Sequence, residues 1–357
     1  MRKLFVLLLI LYLCTACVSA TESIDIDTDS LEDGLSEEAA ELMPEIDPKE
    51  QGDLWSSVKS VFVNALDRVG SSVREGLRLC AVLLCVATLC AVVDLAAQKY
   101  GSAVSIAGAL GITVALVGSF QTMVSLAVDT VQSLADYSAC LLPVIASAAA
   151  MSGSPTAATG LYAGTALFVE ILLQLISKLL VPAVFLYLAV ATAEAALSGE
   201  VLSELREFIG WLISKSLRIL LYIFMGFLSV TGVISGTADA AAVKATKAAV
   251  SGMIPVVGNI ISDASESLLA GAALLKSSVG VFGMIAILAT CLLPFLRIGV
   301  QYLLLKVTSA VSGTVALPNH TKLLKHCSAA MGYLLGMCGA GGLLLLISAI
   351  CFMKVVA

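Results

Sequence analysis

Long apolar runs alternate with short polar segments from residue 79 to the end of the chain. The hydrocarbon core of a bilayer is about 30 Å thick, and a helix of about 20 residues crosses it. Runs of suitable length cover residues 79–97, 103–126, 137–151, 157–176, 179–197, 209–234, 278–296 and 329–353. A further run, 298–317, carries Lys306 and fits either a span or an interfacial helix. The pattern predicts an all-α, polytopic helical membrane protein with about seven to nine spans.

Residues 54–78 precede this multi-span region, 79–357, and follow a different pattern. Apolar residues such as Val61, Ala65 and Val69 recur at the spacing of one helix face, and basic residues lie mainly on the other side. This pattern predicts an amphipathic helix that lies in the membrane interface. Packing of the helix against a soluble partner is the alternative.

The N-terminal region divides into a leader and an acidic segment. Residues 1–20 have the charged start, short apolar run and small-residue cleavage site of a signal peptide, with an uncleaved anchor as the alternative. Residues 21–53 contain half of the chain's 26 acidic residues. Such a composition does not bury a core, so we predict a disordered, extracytoplasmic segment. An acidic arm that docks on a basic partner is the alternative.

Composition supports the membrane assignment and excludes one class of function. The chain of 357 residues is 59% hydrophobic and 13% charged, and its mean hydropathy is +1.01. Soluble domains are about 45–50% apolar and about 25% charged. The sequence lacks a basic patch with interleaved aromatic residues, so nucleic acid is not a predicted partner, whereas membrane lipid is.

One segment, residues 252–276, interrupts the apolar pattern between two long runs. Pro255 and Gly258 are expected to break a helix there, and Asp263 and Glu266 are placed as an N-cap and its N3 partner for a following helix. Irregular backbone at membrane depth requires cover from protein or a water-filled cavity. The segment is therefore either a pore-lining or re-entrant element, or a surface loop between two spans.

A row of polar residues lies on one predicted span. Glu170, Gln174 and Lys178 are four residues apart, which places them on one helix face. Ionisable residues inside spans are candidates for function, so the row could face the bundle interior or a wet pore. Alternatively, Lys178 extends to the membrane interface and Glu170 bonds to a neighbouring helix. Glu194, which is near a span end, is expected to be interfacial.

Small residues repeat every fourth position on the last span, at Gly332, Gly336 and Ala340. This spacing lets membrane helices approach closely. It predicts helix packing within one subunit or between subunits, so a homo-oligomer is a possible assembly.

The sequence contains no recognised catalytic motif. It has no H-E-x-x-H zinc pair, G-x-S-x-G elbow or phosphate-binding loop. His320 and His326 lie in a short basic stretch and are expected to be surface residues. We therefore predict no catalytic, cofactor-binding or metal-binding residues, no cofactor, and a non-enzymatic role.

The sequence MIPVVG at 253–258, preceded by TK at 246–247, continues to SDA at 262–264 and KSSVG at 276–280. Together with the leader, the amphipathic lead-in and the polytopic region, these motifs resemble the stage III sporulation protein AE family of endospore-forming Firmicutes. The resemblance covers residue 54 to the C-terminus and is strongest over residues 244–294. The acidic segment has no counterpart in it.

The resemblance implies a multi-pass protein of the mother-cell membrane that surrounds the forespore. Its implied partners are other stage III sporulation membrane proteins and a forespore membrane protein. Together they would form a transenvelope channel, similar to specialised secretion systems, that is needed for forespore development. Two alternatives remain: a stand-alone secondary transporter that uses the row from Glu170 to Lys178, and a membrane scaffold without its own pore.

Overall fold

A computed structural model describes residue 31 and residues 34–43, 54–96, 100–151, 155–197, 202–253 and 257–354. Within these ranges, the backbone alone is described at 54–56, 231–278 and 353–354. The predicted signal peptide, 1–20, lies outside the described residues.

Every regular element in the described part of the chain is helical. The helices are α1 (Glu37–Ala40), α2 (Leu54–Arg68), α3 (Gly70–Ala96), α4 (Gly101–Met151), α5 (Pro155–Leu175), a π-helical segment (Ile176–Leu180), α6 (Val181–Leu197), α7 (Ser203–Met253), α8 (Val257–Val315) and α9 (Pro318–Lys354). The predicted all-α class is confirmed.

Among the residues that the structure describes, six helical stretches are long and apolar enough to cross a membrane: Gly70–Ala96, Gly101–Met151, Pro155–Leu197, Ser203–Val230, Val279–Val315 and Pro318–Phe352. This number agrees roughly with the prediction, because neighbouring predicted runs join into single helices. Thus α4 contains both 103–126 and 137–151. The residues between these runs include no proline or glycine, so their polar side chains do not interrupt the helix.

The junction between α5 and α6 is continuous but distorted. In the π-helical segment, the Val181 N–H donates to the Ile176 carbonyl, five residues back. Pro182 follows directly and lacks an N–H, so the wider turn accommodates a residue that an ordinary α-helix interior does not.

Glycines mark close approaches between the helices. A Cβ added to Gly341 of α9 would lie 3.2 Å from Leu134 and 3.6 Å from Val131 of α4, and 3.9 Å from Leu172 of α5. These three helices therefore meet at one level of the bundle.

The row of small residues on α9 packs within the subunit. A Cβ added to Gly332 would lie 3.3 Å from the ring of Tyr302 on α8, and one added to Gly336 would lie 3.8 Å from Leu217 on α7. Ala340, the next member of the row, is buried.

Part of the acidic segment packs on the helical bundle. Leu31, Ala39 and Leu42 are buried, and Ala39 and Leu42 share a core cluster with α2 and α8. Ion pairs join Glu41 to Arg68 and Glu38 to Arg297. Residues 34–43 therefore carry enough apolar side chains to pack on the bundle despite their charge, and the disorder of the segment 21–53 stays a prediction.

The predicted amphipathic helix, 54–78, corresponds to α2 and the first turns of α3. Its buried side, with Val61, Ala65 and Val69, packs against α8. Phe62, Val63 and Leu66 remain exposed.

The break predicted near 252–276 is shorter than expected. Helix α7 ends at Met253 and α8 begins at Val257, and Pro255 lies between them, outside the described residues. Gly258, Asp263 and Glu266 lie within α8, so the assignment of Asp263 as an N-cap is wrong. The helix begins before it, because Gly258 near a helix start costs only about 1 kcal/mol relative to alanine.

Candidate functional site

The predicted polar row on α5 forms a hydrogen-bonded ladder. Gln174 Nε2 donates to Glu170 Oε1 at 2.6 Å, and Lys178 Nζ donates to Gln174 Oε1 at 3.2 Å. All three side chains are exposed on the outside of the subunit. The ladder does not face the interior of this bundle, which was one of its two predicted locations.

A longer polar row, absent from the sequence prediction, lies on α4. The structure describes all of residues 118–147. Most of the exposed residues in this range are polar, and none has a large apolar side chain. These exposed positions are Gly118, Gln121, Thr122, Ser125, Asp129, Gln132, Asp136, Ala139, Pro143 and Ser147. The first part of the same helix instead exposes Ile106, Leu110, Val114 and Val117. The outer surface of α4 thus changes from apolar to mostly polar near residue 118.

The two polar rows lie at the same level of the bundle. Helices α4 and α5 are consecutive and packed together. Val131, which precedes Gln132, and Leu172, between Glu170 and Gln174, both lie against Gly341. We refer to the α4 row and the α5 ladder together as the polar face.

The outer surface of α7 is largely apolar near this level. Phe168 of α5 packs against Phe224 of α7, with ring centroids 5.1 Å apart. The α7 residues around that contact, Ile219, Tyr222 and Ile223, are exposed, next to the exposed Arg218. The exposed side chains at this height are therefore mostly polar on α4, mixed on α5, where Ile171 is exposed beside the ladder, and mostly apolar on α7.

The charges on the polar face are mostly negative. Asp129, Asp136 and Glu170 are exposed together with a single described cation in the two rows, Lys178. Gln132 Nε2 donates to Asp136 Oδ1 at 2.8 Å. The negative potential of this surface would attract hydrated cations and repel anions.

A second polar cluster lies largely out of solvent where α6, α7 and α9 meet. Arg206 Nε donates to Glu194 Oε2 at 2.7 Å, and the Tyr187 hydroxyl lies 3.0 Å from His326 Nδ1. The ring of Tyr333 stacks edge-on against Tyr187, with centroids 5.3 Å apart. His326 was expected at the surface but lies between helices, because it gains a polar partner there. Glu194 also lies between helices, near the end of its span, and its interfacial location stays a prediction.

His320 is also buried, contrary to the prediction. Its Nε2 lies 3.2 Å from the Ser105 carbonyl of α4. A Cβ on Gly108 would overlap the imidazole, so the absence of a side chain at that position lets α9 approach α4. Neither sequence spacing nor charge pattern signals this contact, because the partner residues are distant along the chain.

The described residues offer no metal site. They include no group of three or more histidine, cysteine, aspartate and glutamate side chains close enough to share an ion. The cysteines in the described ranges are all free thiols.

Comparison with known proteins identifies relatives. The family described as Stage III sporulation protein AE (spore_III_AE) matches residues 41–355. A Bacillus subtilis (strain 168) protein named Stage III sporulation protein AE is 21% identical over 193 residues, which are 54% of this chain and 48% of that protein. The chain thus matches about half the length of this relative. No solved structure matches the chain.

Proposed function

Since this chain belongs to the stage III sporulation protein AE family, we propose that it is a non-enzymatic membrane subunit of a sporulation-specific channel. The channel would resemble a secretion complex and link the mother cell to the forespore. Its partners would be other stage III sporulation membrane proteins and a forespore membrane protein, and its location the mother-cell membrane around the forespore. Residues 1–20 would direct membrane insertion as a signal peptide.

The observation that supports a channel role is the polar face on apolar, membrane-spanning helices. Polar groups that face lipid lose hydrogen bonds to water, which costs several kcal/mol for each unsatisfied group. A surface with Asp129, Gln132, Asp136 and Glu170 therefore requires water or polar protein beside it. Because the surface lies outside the core of the subunit, the aqueous path would lie between subunits.

This geometry favours an assembly over a stand-alone transporter. Secondary transporters bind substrate near the bilayer midplane, between helices of one bundle. Here, the ladder of Glu170, Gln174 and Lys178 is on the outside. We also propose that Pro255, Gly258, Asp263 and Glu266, in the segment at 252–276, line the path.

The test replaces the polar face in a sporulating host that lacks its own copy of the gene. A double variant, Gln132→Leu with Gln174→Leu, keeps side-chain size but removes hydrogen bonding. The expected result is a several-fold fall in late forespore-specific reporter expression at an unchanged protein level. The matched control is Gln132→Asn with Gln174→Asn, which keeps the amides and should retain most reporter activity.

Full reporter activity in the leucine double variant, at a normal protein level, would contradict the proposal. It would favour a scaffold whose polar face is an ordinary hydrated surface. Normal forespore development after deletion of the gene would contradict any role in sporulation.

A further inference from the structure

An apolar groove runs along the outside of the subunit, between α4 and α6. Its walls include Leu110, Val117 and Phe120 of α4 and Phe185, Ala189 and Ala193 of α6. The cavity volume is about 440 Å³, and the buried Cys327 of α9 lies in its lining. The volume is within the range of small-molecule sites, about 300–1,000 Å³.

The groove opens within the apolar part of the outer surface. Leu110, Val117 and Phe185 at its edge are 52%, 46% and 40% exposed. They lie on the apolar part of α4, before its polar row begins, and on a helix apolar enough to span a membrane. Hydrocarbon is therefore the medium that meets the mouth of the groove in a bilayer.

The interior of the groove offers no free polar group in its described lining. Its only hydroxyls belong to Thr113 and Thr192, which lie 2.9 Å from each other. Each hydroxyl also lies 2.9 Å from a carbonyl one turn back in its own helix, so the single proton of each hydroxyl has an acceptor. Because these groups are already bonded and no charged residue lines the groove, an uncharged and apolar occupant is favoured.

The cavity is too small to enclose a helix. Leu110 to Phe120 is a rise of about 15 Å, and a helix about 10 Å wide fills about 1,200 Å³ over that length. A partner helix would therefore place only part of its side chains in the groove, whereas a single hydrocarbon chain is narrow enough to lie inside it.

We propose that the groove between α4 and α6 binds one acyl chain of a bilayer phospholipid. Alanines at positions 189 and 193 make room for it, and Phe120 and Phe185 contact each other edge-on, with centroids 5.6 Å apart. The site is separate from the polar face and does not depend on the proposed channel.

The test uses the full chain in nanodiscs that contain phosphatidylglycerol with a diazirine in the middle of one acyl chain. After irradiation, adducts are mapped by mass spectrometry. They are expected to concentrate on residues 110–120 and 185–196. Ala193→Phe, which fills the groove, should reduce these adducts several-fold, and Ala189→Phe should do the same.

The matched control is Ala166→Phe, another exposed alanine on a spanning helix, and it should leave groove labelling unchanged. Thr192→Val preserves the shape of the groove and should also leave labelling unchanged. Adducts distributed evenly over the exposed apolar surface, and insensitive to both phenylalanine variants in monodisperse protein, would overturn the proposal. Adducts concentrated in the groove that persist in Ala193→Phe and Ala189→Phe would also overturn it.

Discussion

Arg206 Nε lies 2.7 Å from Glu194 Oε2, and the two side chains are each 11% exposed. The pair joins α6 to α7 next to the connection between them, and Tyr187 lies within electrostatic reach of the guanidinium. An ion pair with this little solvent is sensitive to the loss of either member, because the remaining charge has little water around it to replace its partner.

Arg206→Met should destabilise the protein strongly. Removing one partner of a buried pair costs about 3–5 kcal/mol, so the unfolding transition in detergent should move to clearly lower temperature or denaturant concentration. Arg68→Met is the matched control, because Arg68 pairs with Glu41 where the side chains are 39% and 64% exposed. That change should cost less than about 1 kcal/mol. Equal effects of the two substitutions would contradict the buried pair.

Gly108→Ala should destabilise the contact between α4 and α9. The new methyl group would overlap His320, and overpacking of this kind costs about 1–3 kcal/mol. Gly118→Ala is the control on the same helix, because no described atom lies within 4 Å of its Cβ position. It should be neutral or stabilising by up to about 1 kcal/mol, since alanine favours the helix. Thermal unfolding of both variants checks the prediction. A loss in Gly118→Ala as large as that in Gly108→Ala would argue against this packing.

Gly332→Leu should reduce folding rather than change oligomeric state. Its larger side chain would meet Tyr302 of the same subunit. Light scattering after size exclusion should give the same mass for the folded fraction as for the wild type, with a lower yield. Gly336→Ala should behave as the wild type, because its nearest neighbour, Leu217, is 3.8 Å away. A specific loss of oligomers in Gly332→Leu would instead place the row of small residues between subunits.

The sequence predicts the membrane class and the location of most helices, because apolar composition and helix length are local properties. It does not predict that 103–126 and 137–151 form one helix. Judged by composition alone, the polar residues Asp129, Gln132 and Asp136 suggest a loop. Their spacing of three and four residues is the signal for a single face of a continuous helix.

The sequence also fails to place the buried polar groups. Both histidines occur in a basic stretch, which is typical of a surface, yet His320 contacts Ser105 and His326 contacts Tyr187. These contacts depend on the order in which the helices pack, and that order is not a local property of the sequence. The ladder from Glu170 to Lys178 was predicted as a row, but its outward direction depends on the packing of α5 against α4 and α7.

Water should contact the polar face within the membrane. The most direct measurement is thiol accessibility during sporulation, with single cysteines in a cysteine-depleted, functional background and a membrane-impermeant reagent. Gln132→Cys and Gln174→Cys test the polar face. Ile223→Cys tests the exposed apolar surface at the same level, and Val114→Cys tests the apolar part of α4.

We expect rapid labelling at residues 132 and 174, and little labelling at 223 and 114. Equal labelling at 132 and 223 would mean that this level lies outside the bilayer and that the polar face is an ordinary hydrated surface. No labelling at 132 and 174, in variants that support sporulation, would mean that protein covers the face, and it would contradict a water-filled path beside this subunit.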